Sequence, residues 1–233
     1  MKIKLTFFFC VIFVANATGQ FRFSISGFVG NYAMADMLDL QEQFVRQQQA
    51  GGFSVTASDQ FPITPQIEVG AEFQTSKRGY WGSFFNYTGT RGVAGYGSPP
   101  WLIQRQQNLS RFLLGVKRYQ QLKGNFYFVG KAGLNYSKLN YQTIVDINSN
   151  NMSESNFNFH SWGASIQPGF SWLLSPKSVG FEINFGYEVN IQGETQLDTN
   201  SNYNFGLFTS NNQHAKIDWS GFRLGVGLTF SRK

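Results

Sequence analysis

The segment VGFEINFGYEVNI, residues 179–191, constrains the fold more tightly than any other stretch of the chain. Phe181, Ile183, Phe185, Tyr187, Val189 and Ile191 share one face of a strand, while Glu182, Asn184, Gly186, Glu188 and Asn190 share the other. Successive side chains of a pleated backbone point to opposite sides, so this period of two is a strand signature. Two arrangements of opposite sense accommodate it. In a water-soluble sandwich or barrel the apolar face turns inward; in a membrane barrel it turns outward to lipid.

Seven other segments alternate in the same way, near 21–33, 63–76, 79–94, 106–119, 124–145, 157–174 and 216–230, and the segment around 179–194 makes eight. Three connections are short, around Ser76-Lys77-Arg78-Gly79, around Gln120-Gln121-Leu122-Lys123-Gly124 and at Ser175-Pro176-Lys177-Ser178. Four are long and polar, at 34–62, 95–105, 146–156 and 195–215. An even number of strands with short turns at one end and long loops at the other predicts an up-and-down antiparallel membrane barrel. The composition agrees, with 25 Phe, 10 Tyr and 5 Trp beside 25 Gly and only 14% charged residues, a mixture suited to strands and tight turns.

Three observations favour the lipid-facing sense. Several segments exceed twelve residues, whereas soluble strands run to about five or six and a tilted membrane strand needs about ten. Trp162 and Trp172 lie on one face of the sixth segment, separated by roughly 25 Å along the membrane normal at a tilt of about 40°, which suits two interfacial girdles. The polar faces, finally, carry Arg22, Glu68, Glu72, Arg111, Lys117, Lys131, Glu182, Glu188 and Arg223. Unpaired charges in the narrow lumen of eight strands are costly, so this near balance of sign predicts an interlocked ionic plug. On a water-facing surface the same residues would simply be solvated.

The chain begins with Lys2 and Lys4, then the apolar run LTFFFCVIFV and the small-residue stretch ANATGQ. A positive start, a short greasy centre and small residues describe a secretory signal peptide. The expected domains are therefore a signal peptide over 1–19, cleaved after Ala17 or Gly19, and a barrel over 20–233. The run is too short to serve comfortably as a membrane anchor. Cys10 is the single cysteine and lies in the leader, preceded by Phe8-Phe9 rather than the small residues of a lipoprotein site. Disulfides and thiol chemistry are thereby excluded from the mature chain. Net charge is +6, and without Lys2 and Lys4 it is +4, from 17 basic and 13 acidic residues. A balance so mild, with no basic cluster, argues against a nucleic-acid partner.

The last strand, GFRLGVGLTF, directs Phe222, Leu224, Val226, Leu228 and Phe230 to one face and Arg223, Gly225, Gly227 and Thr229 to the other. It would close the barrel, its inner glycines making room for bulky neighbours. The spacing Arg223-x-Gly225-x-x-Leu228-x-Phe230 resembles the C-terminal signal read by the barrel-assembly machinery, although Ser231-Arg232-Lys233 extends past the usual terminal aromatic.

Taken together, the chain resembles small eight-stranded outer-membrane barrels of the OmpA/OmpX type, and its Phe/Tyr/Asn-rich texture and helical insertion resemble the outer-membrane β-barrel family common in Bacteroidota. The resemblance implies a bacterial outer-membrane location, contact with outer-membrane lipids and lipopolysaccharide, and barrel-assembly machinery as a partner during insertion. Docking beside a larger outer-membrane complex is a further expectation. No room for a peptidoglycan-binding domain is expected after Phe230.

Within the first long loop, MADMLDLQEQFVRQQQAGG places Met34, Met37, Leu38, Phe44 and Val45 at helical spacing, and Gly51-Gly52 would end the helix. This helix is expected to cover the barrel mouth, or else to lie at the outer interface or meet another protein. Asp36, Asp39 and Glu42 on it are expected to be solvated charges rather than metal ligands. His160-Ser161, with Glu154 nearby, superficially matches a lipid A deacylase family that uses a His-x-Ser pair and a Glu on such a barrel. Adjacent strand residues point to opposite faces, however, which separates a base from its nucleophile. His160 is expected in the interface belt and His214 in a loop. GTRGVAGYG lacks the strand-to-helix context and lysine of a phosphate loop. The Asn-rich loops suit sugar or external-ligand contacts. No catalytic residue, metal site or cofactor is assigned, and a non-enzymatic role is expected. The leading expectation is a plugged barrel with a structural or interaction role; the alternatives are a narrow porin-like channel for ions or small solutes and a lipid A-modifying enzyme.

Overall fold

The computed structural model describes residues 20–61, 63–76, 78–98, 101–147, 151–174, 179–198 and 206–232. The leader expected over 1–19 and the turn expected at Ser175-Pro176-Lys177-Ser178 lie outside these residues.

Eight long strands form the body: β1 (Phe21–Tyr32), β3 (Thr64–Ser76), β4 (Gly79–Ser98), β5 (Trp101–Lys123), β6 (Phe126–Ile147), β7 (Asn151–Leu173), β8 (Val179–Gln192) and β10 (Gly221–Arg232). Each pairs antiparallel with its neighbours in chain order, and β1 pairs β10 from Phe21↔Arg232 to Tyr32↔Gly221. The eight strands thus form a closed ring. Between β1 and β3 come α1 (Ala35–Ala50) and the short β2 (Thr56–Gln60), which pairs with β4; β9 (Gln196–Leu197) pairs with β7.

The faces are inverted relative to a water-soluble protein. Along β8, Phe181, Phe185, Tyr187, Val189 and Ile191 are exposed, while Glu182, Asn184 and Glu188 are buried. On β10, Phe222, Leu224, Val226, Leu228 and Phe230 are exposed, and Arg223 and Thr229 are buried. Trp162 and Trp172 both face outward on β7, at 64% and 52% exposure. A sheet cannot leave an apolar band of this extent in water without inviting association; lipid is the solvent that matches it. Among the described residues no helix is long and apolar enough to cross a membrane, so the strands are the elements available to do it.

Most of two expected loops, 95–105 and 146–156, is strand: among the described residues 95–98, 101–105, 146–147 and 151–156 continue the ladders, which run to Ser98↔Trp101 and Ile147↔Asn151. Apolar contrast between the two faces fades along these stretches. Backbone hydrogen bonds continue regardless of side-chain polarity, so Gln104, Gln106 and Asn108 sit in regular strand. β4 to β7 consequently rise as a tall wall above one side of the barrel, opposite the shorter β1, β3, β8 and β10. The eighth segment is corrected in the other direction. It was expected from residue 216, but the strand begins at Gly221. The Ser220 amide bonds Asp218 Oδ1 at 2.8 Å, a local turn that competes with the ladder.

The helix α1 fills the space inside the wall. Phe44 packs with Val55, Ala94 and Ile103, and the Arg105 guanidinium lies 4.1 Å over the Phe44 ring. Gly51 and Gly52 end the helix, Gly52 with φ 87°, a conformation open to glycine at no steric cost. At the other end Met34, at φ 45°, enters α1 in the left-handed region, a strained state for a side-chain-bearing residue. Its side chain is almost wholly buried there, which offsets the strain.

Candidate functional site

The nine charged residues singled out by parity all lie within the barrel, each no more than 8% exposed. They are contributed by six strands: Arg22 from β1, Glu68 and Glu72 from β3, Arg111 and Lys117 from β5, Lys131 from β6, Glu182 and Glu188 from β8, and Arg223 from β10. Near the turn end, Arg22 Nε donates to Glu72 Oε2 at 2.8 Å, and Lys117 Nζ meets Glu72 Oε1 at 2.5 Å. Ser24 Oγ donates to Glu72 at 2.9 Å and accepts from Lys117 at 2.9 Å. At mid-barrel Lys131 Nζ grips both oxygens of Glu68, at 2.6 and 2.8 Å. Lys117 and Arg223 approach the same carboxylate at 3.7 and 3.6 Å. Toward the loop end Arg111 takes Glu188 with two nitrogens, at 2.5 and 3.2 Å, a fork geometry that lysine cannot reproduce. Arg223 stands 3.7 Å from the same Glu188, so one chain of contacts links the two ends.

Glu182 departs from this pattern. Its Oε1 accepts from Tyr119 Oη at 3.1 Å and from Ser171 Oγ at 2.6 Å, and its Oε2 has no hydrogen-bond partner. Hydroxyl groups hold it, not a cation.

Aromatic rings line the ionic chain. Arg22 lies 4.2 Å over Tyr119 and 4.8 Å over Tyr80; Lys131 lies 4.9 Å over Phe28; Arg111 lies 4.8 Å over Trp219. Each contact adds cation–π attraction where water is excluded. These rings were not singled out from sequence, although Phe28 shares parity with Arg22, and Tyr119 with Lys117. Trp219 shares parity with Arg223, although it lies in the turn before the ladder begins at Gly221.

Trp219 belongs to an apolar lid. Tyr32, Met34, Met37, Leu40, Leu109, Leu139, Phe159, Leu207, Ile217 and Trp219 form one buried cluster above Arg111 and Glu188. The Trp219 indole donates to Ser137 Oγ at 3.0 Å, satisfying its one polar group. The helix therefore covers its own barrel mouth. Asp36 and Asp39, expected as solvated charges, are partly exposed and also hold backbone amides. Asp36 Oδ2 accepts from the Lys216 amide at 2.8 Å, and Asp39 Oδ2 from the Ser210 amide at 2.6 Å and Gln43 Nε2 at 2.8 Å. They fasten α1 to the chain segment that carries Ile217 and Trp219. Partial burial pushes the Asp39 carboxyl up, but the bonds from Ser210 and Gln43 and the nearby Arg46 outweigh it and hold its pKa below the ordinary value. Glu42 makes an exposed pair with Arg46 at 3.4 Å.

His160 is partly exposed on the outer side of β7, its Nδ1 3.4 Å from Asp198 Oδ1. Ser161 points into the barrel, donating to the Gly193 carbonyl at 2.7 Å and accepting from Gln192 at 3.0 Å. The two side chains sit on opposite faces, and the side chain of Glu154 lies outside the described residues. His214 packs against Phe208 with centroids 4.5 Å apart and the rings tilted by 40°. No cluster of metal-ligating side chains occurs among the described residues. In the terminal motif, Arg223 and Gly225 face inward and Leu228 and Phe230 outward.

No family description matches the chain, and no curated protein matches it in sequence. Among solved structures it is similar to Ail, the attachment invasion locus protein of Yersinia pestis, in complex with the heparin analogue sucrose octasulfate: 11% identity, 91% of this chain and 99% of that chain covered, TM-score 0.43. It is also similar to the outer membrane protein OprG from Pseudomonas aeruginosa: 12% identity, 92% and 96% covered, TM-score 0.46. With values this low, the architecture rests on the strand register described above rather than on the likeness.

Proposed function

We propose that the chain is an integral barrel of the bacterial outer membrane, closed along its axis, that acts through its loop end as a structural or interaction element. The observation that carries this reading is the inversion: charged side chains paired within the barrel and an apolar belt outside. Eight strands leave an interior that side chains can fill. Here the filling is threefold, with the layer of Tyr119, Tyr127, Val129 and Leu173 at the turn end, the ionic chain, and the apolar lid. By analogy with other outer-membrane barrels, the wall of β4 to β7 and the helix would face outside the cell, and the short turns the periplasm. The wall presents amide side chains above the belt, including Gln104, Asn140 and Asn158. Their paired donors and acceptors suit surface sugars or a protein partner. The separation of His160 from Ser161 supports a non-enzymatic role.

Recording from the purified protein in planar bilayers tests the closure. The wild type is expected to pass no steady current; a stable conductance would favour the narrow channel instead. Lipid A from cells with and without the gene is expected to carry the same acyl pattern.

A further inference from the structure

The lipid-facing belt is not smooth. A groove of about 590 Å³ crosses it, running along the hydrogen-bond direction rather than along a strand. One bank is the register row Val29, Leu224, Phe185, Phe170 and Phe128. The other carries Phe222 and Tyr187 and then falls away at Pro168 and its partner Gly130. Gly186 and Gly169 form part of the floor.

At the seam between β7 and β8 the barrel wall is thin. Paired residues run from Gly163↔Gln192 to Ile166↔Val189 and resume at Gly169↔Gly186. The gap falls on Gln167 and Pro168, and proline has no amide hydrogen to give. Opposed glycines bring the backbones close: a Cβ on Gly186 would lie 2.7 Å from the Pro168 carbonyl oxygen, and one on Gly169 2.6 Å from that of Phe185. Under this seam lies a void of about 30 Å³, lined by Pro168, Phe185 and Tyr187 from the lipid side and by Lys131, Gln167 and Arg223 from the lumen. That is room for one atom group of about the size of a water.

Arg223 is the group that faces this void with capacity to spare. Its Nη1 donates to Gln167 Oε1, and its carboxylate neighbours Glu68 and Glu188 stand off at 3.6 and 3.7 Å. Its Nε and Nη2 are buried and make no hydrogen bond. Buried guanidinium nitrogens without acceptors are costly. The surrounding charge leans the same way: Arg22, Arg111, Lys117, Lys131 and Arg223 share the lumen with Glu68, Glu72, Glu182 and Glu188, and Glu182 lies outside the ion-pair chain.

We propose that this groove takes a long-chain carboxylate from the bilayer, its alkyl chain along the Leu224–Phe185–Phe170 bank and one carboxylate oxygen through the β7–β8 seam to Arg223. The void admits a carboxylate oxygen but not a phosphodiester with two acyl chains. The site rests on the outer face lying in lipid, as argued above. Pro168 lies on β7 between Trp162 and Trp172, so the carboxylate would sit at hydrocarbon depth, where it needs the pairing that Arg223 offers.

The test uses the whole barrel in phospholipid nanodiscs and a photoreactive palmitate analogue, with adducts located by mass spectrometry. Incorporation into nanodiscs reports separately on membrane residence, so loss of the site and loss of the membrane reading are distinguishable. Adducts are expected on β7, β8 and β10 around the groove, competed by palmitate but not by palmityl alcohol or methyl palmitate. Arg223→Met is expected to reduce labelling at least tenfold. Leu224→Trp, which fills the groove from the lipid side without touching the ionic chain, is expected to do the same. Equal competition by the alcohol, undiminished labelling of both variants, or adducts spread evenly around the belt would each overturn the proposal.

Discussion

Replacing Glu68 with Gln removes the negative charge on which three cations converge, and the structure sets what each of them loses. Lys117 keeps Glu72 at 2.5 Å, and Arg223 keeps Glu188 at 3.7 Å. For Lys131 only Glu68 lies in ion-pair contact among the carboxylates of the described residues. Glu68→Gln therefore strands one buried ammonium, and breaking a buried pair from one side costs about 3–5 kcal/mol. Lys131→Met is milder, about 1–3 kcal/mol, because Glu68 retains Lys117 and Arg223 at 3.7 and 3.6 Å. The double variant removes both charges together and is expected within about 2 kcal/mol of wild type, since an apolar replacement for a buried pair is often near neutral. The coupling energy is then at least about 2 kcal/mol, well above the scatter of about 0.5 kcal/mol seen for independent sites. Urea unfolding of the reconstituted barrel, followed by tryptophan emission and by heat-modifiable gel mobility, measures all four proteins. With a slope of about 2 kcal/mol/M, Glu68→Gln is expected to lower the midpoint by roughly 2 M. Additive effects of the two single replacements would refute the ionic chain as drawn.

Other consequences follow from the belt and the lid. Ile166→Arg places a charge on the lipid face between the two tryptophans and is expected to cost about 2–4 kcal/mol; Asn108→Arg, on the wall above, is expected to be neutral in the same assay. Trp219→Ala empties the centre of the lid and is expected to cost about 3–5 kcal/mol. The Asp39 contact is pH-dependent. Its folded pKa is depressed, so its contribution is complete above the ordinary Asp pKa of about 3.9 and fades as pH falls through the lower folded value. Protection of the Ser210 amide from hydrogen exchange, corrected for the intrinsic rate at each pH, is therefore expected to fall on acidification through that range, and Asp39→Asn to abolish this pH dependence.

Much of the barrel was legible because lipid and lumen impose opposite demands on alternate residues. Phe185 and Glu188 could not exchange faces without stranding a carboxylate in hydrocarbon, so the parity of β8 was written in its side chains. The same rule failed on 95–98 and 101–105, where the outer face meets water, the inner face packs against α1, and nothing distinguishes Gln104 from Arg105 in polarity. There the ladder is set by backbone hydrogen bonds, which leave no trace in composition. The partners within the lumen were illegible for another reason. Glu68 on β3 meets Lys131 on β6 across the barrel, and that encounter depends on the stagger accumulated over every intervening strand. Parity with Arg223 pointed Ile217 and Trp219 inward, but the turn at Asp218, which takes them off the ladder and into the lid, left no mark in the alternation. Asp36 and Asp39 looked like surface charges because the amides they accept from belong to residues 216 and 210, far along the chain.

Quenching of single-tryptophan variants in bilayers of chain-brominated lipid tests the inverted barrel most directly. With the other tryptophans replaced by Phe, Trp162 and Trp172 are expected to be strongly quenched by the brominated chains and weakly by aqueous iodide. Trp219, under the lid, is expected to be reached by neither. Quenching of Trp162 and Trp172 by iodide alone would mean that the greasy face of β7 does not lie in hydrocarbon, and would contradict the account.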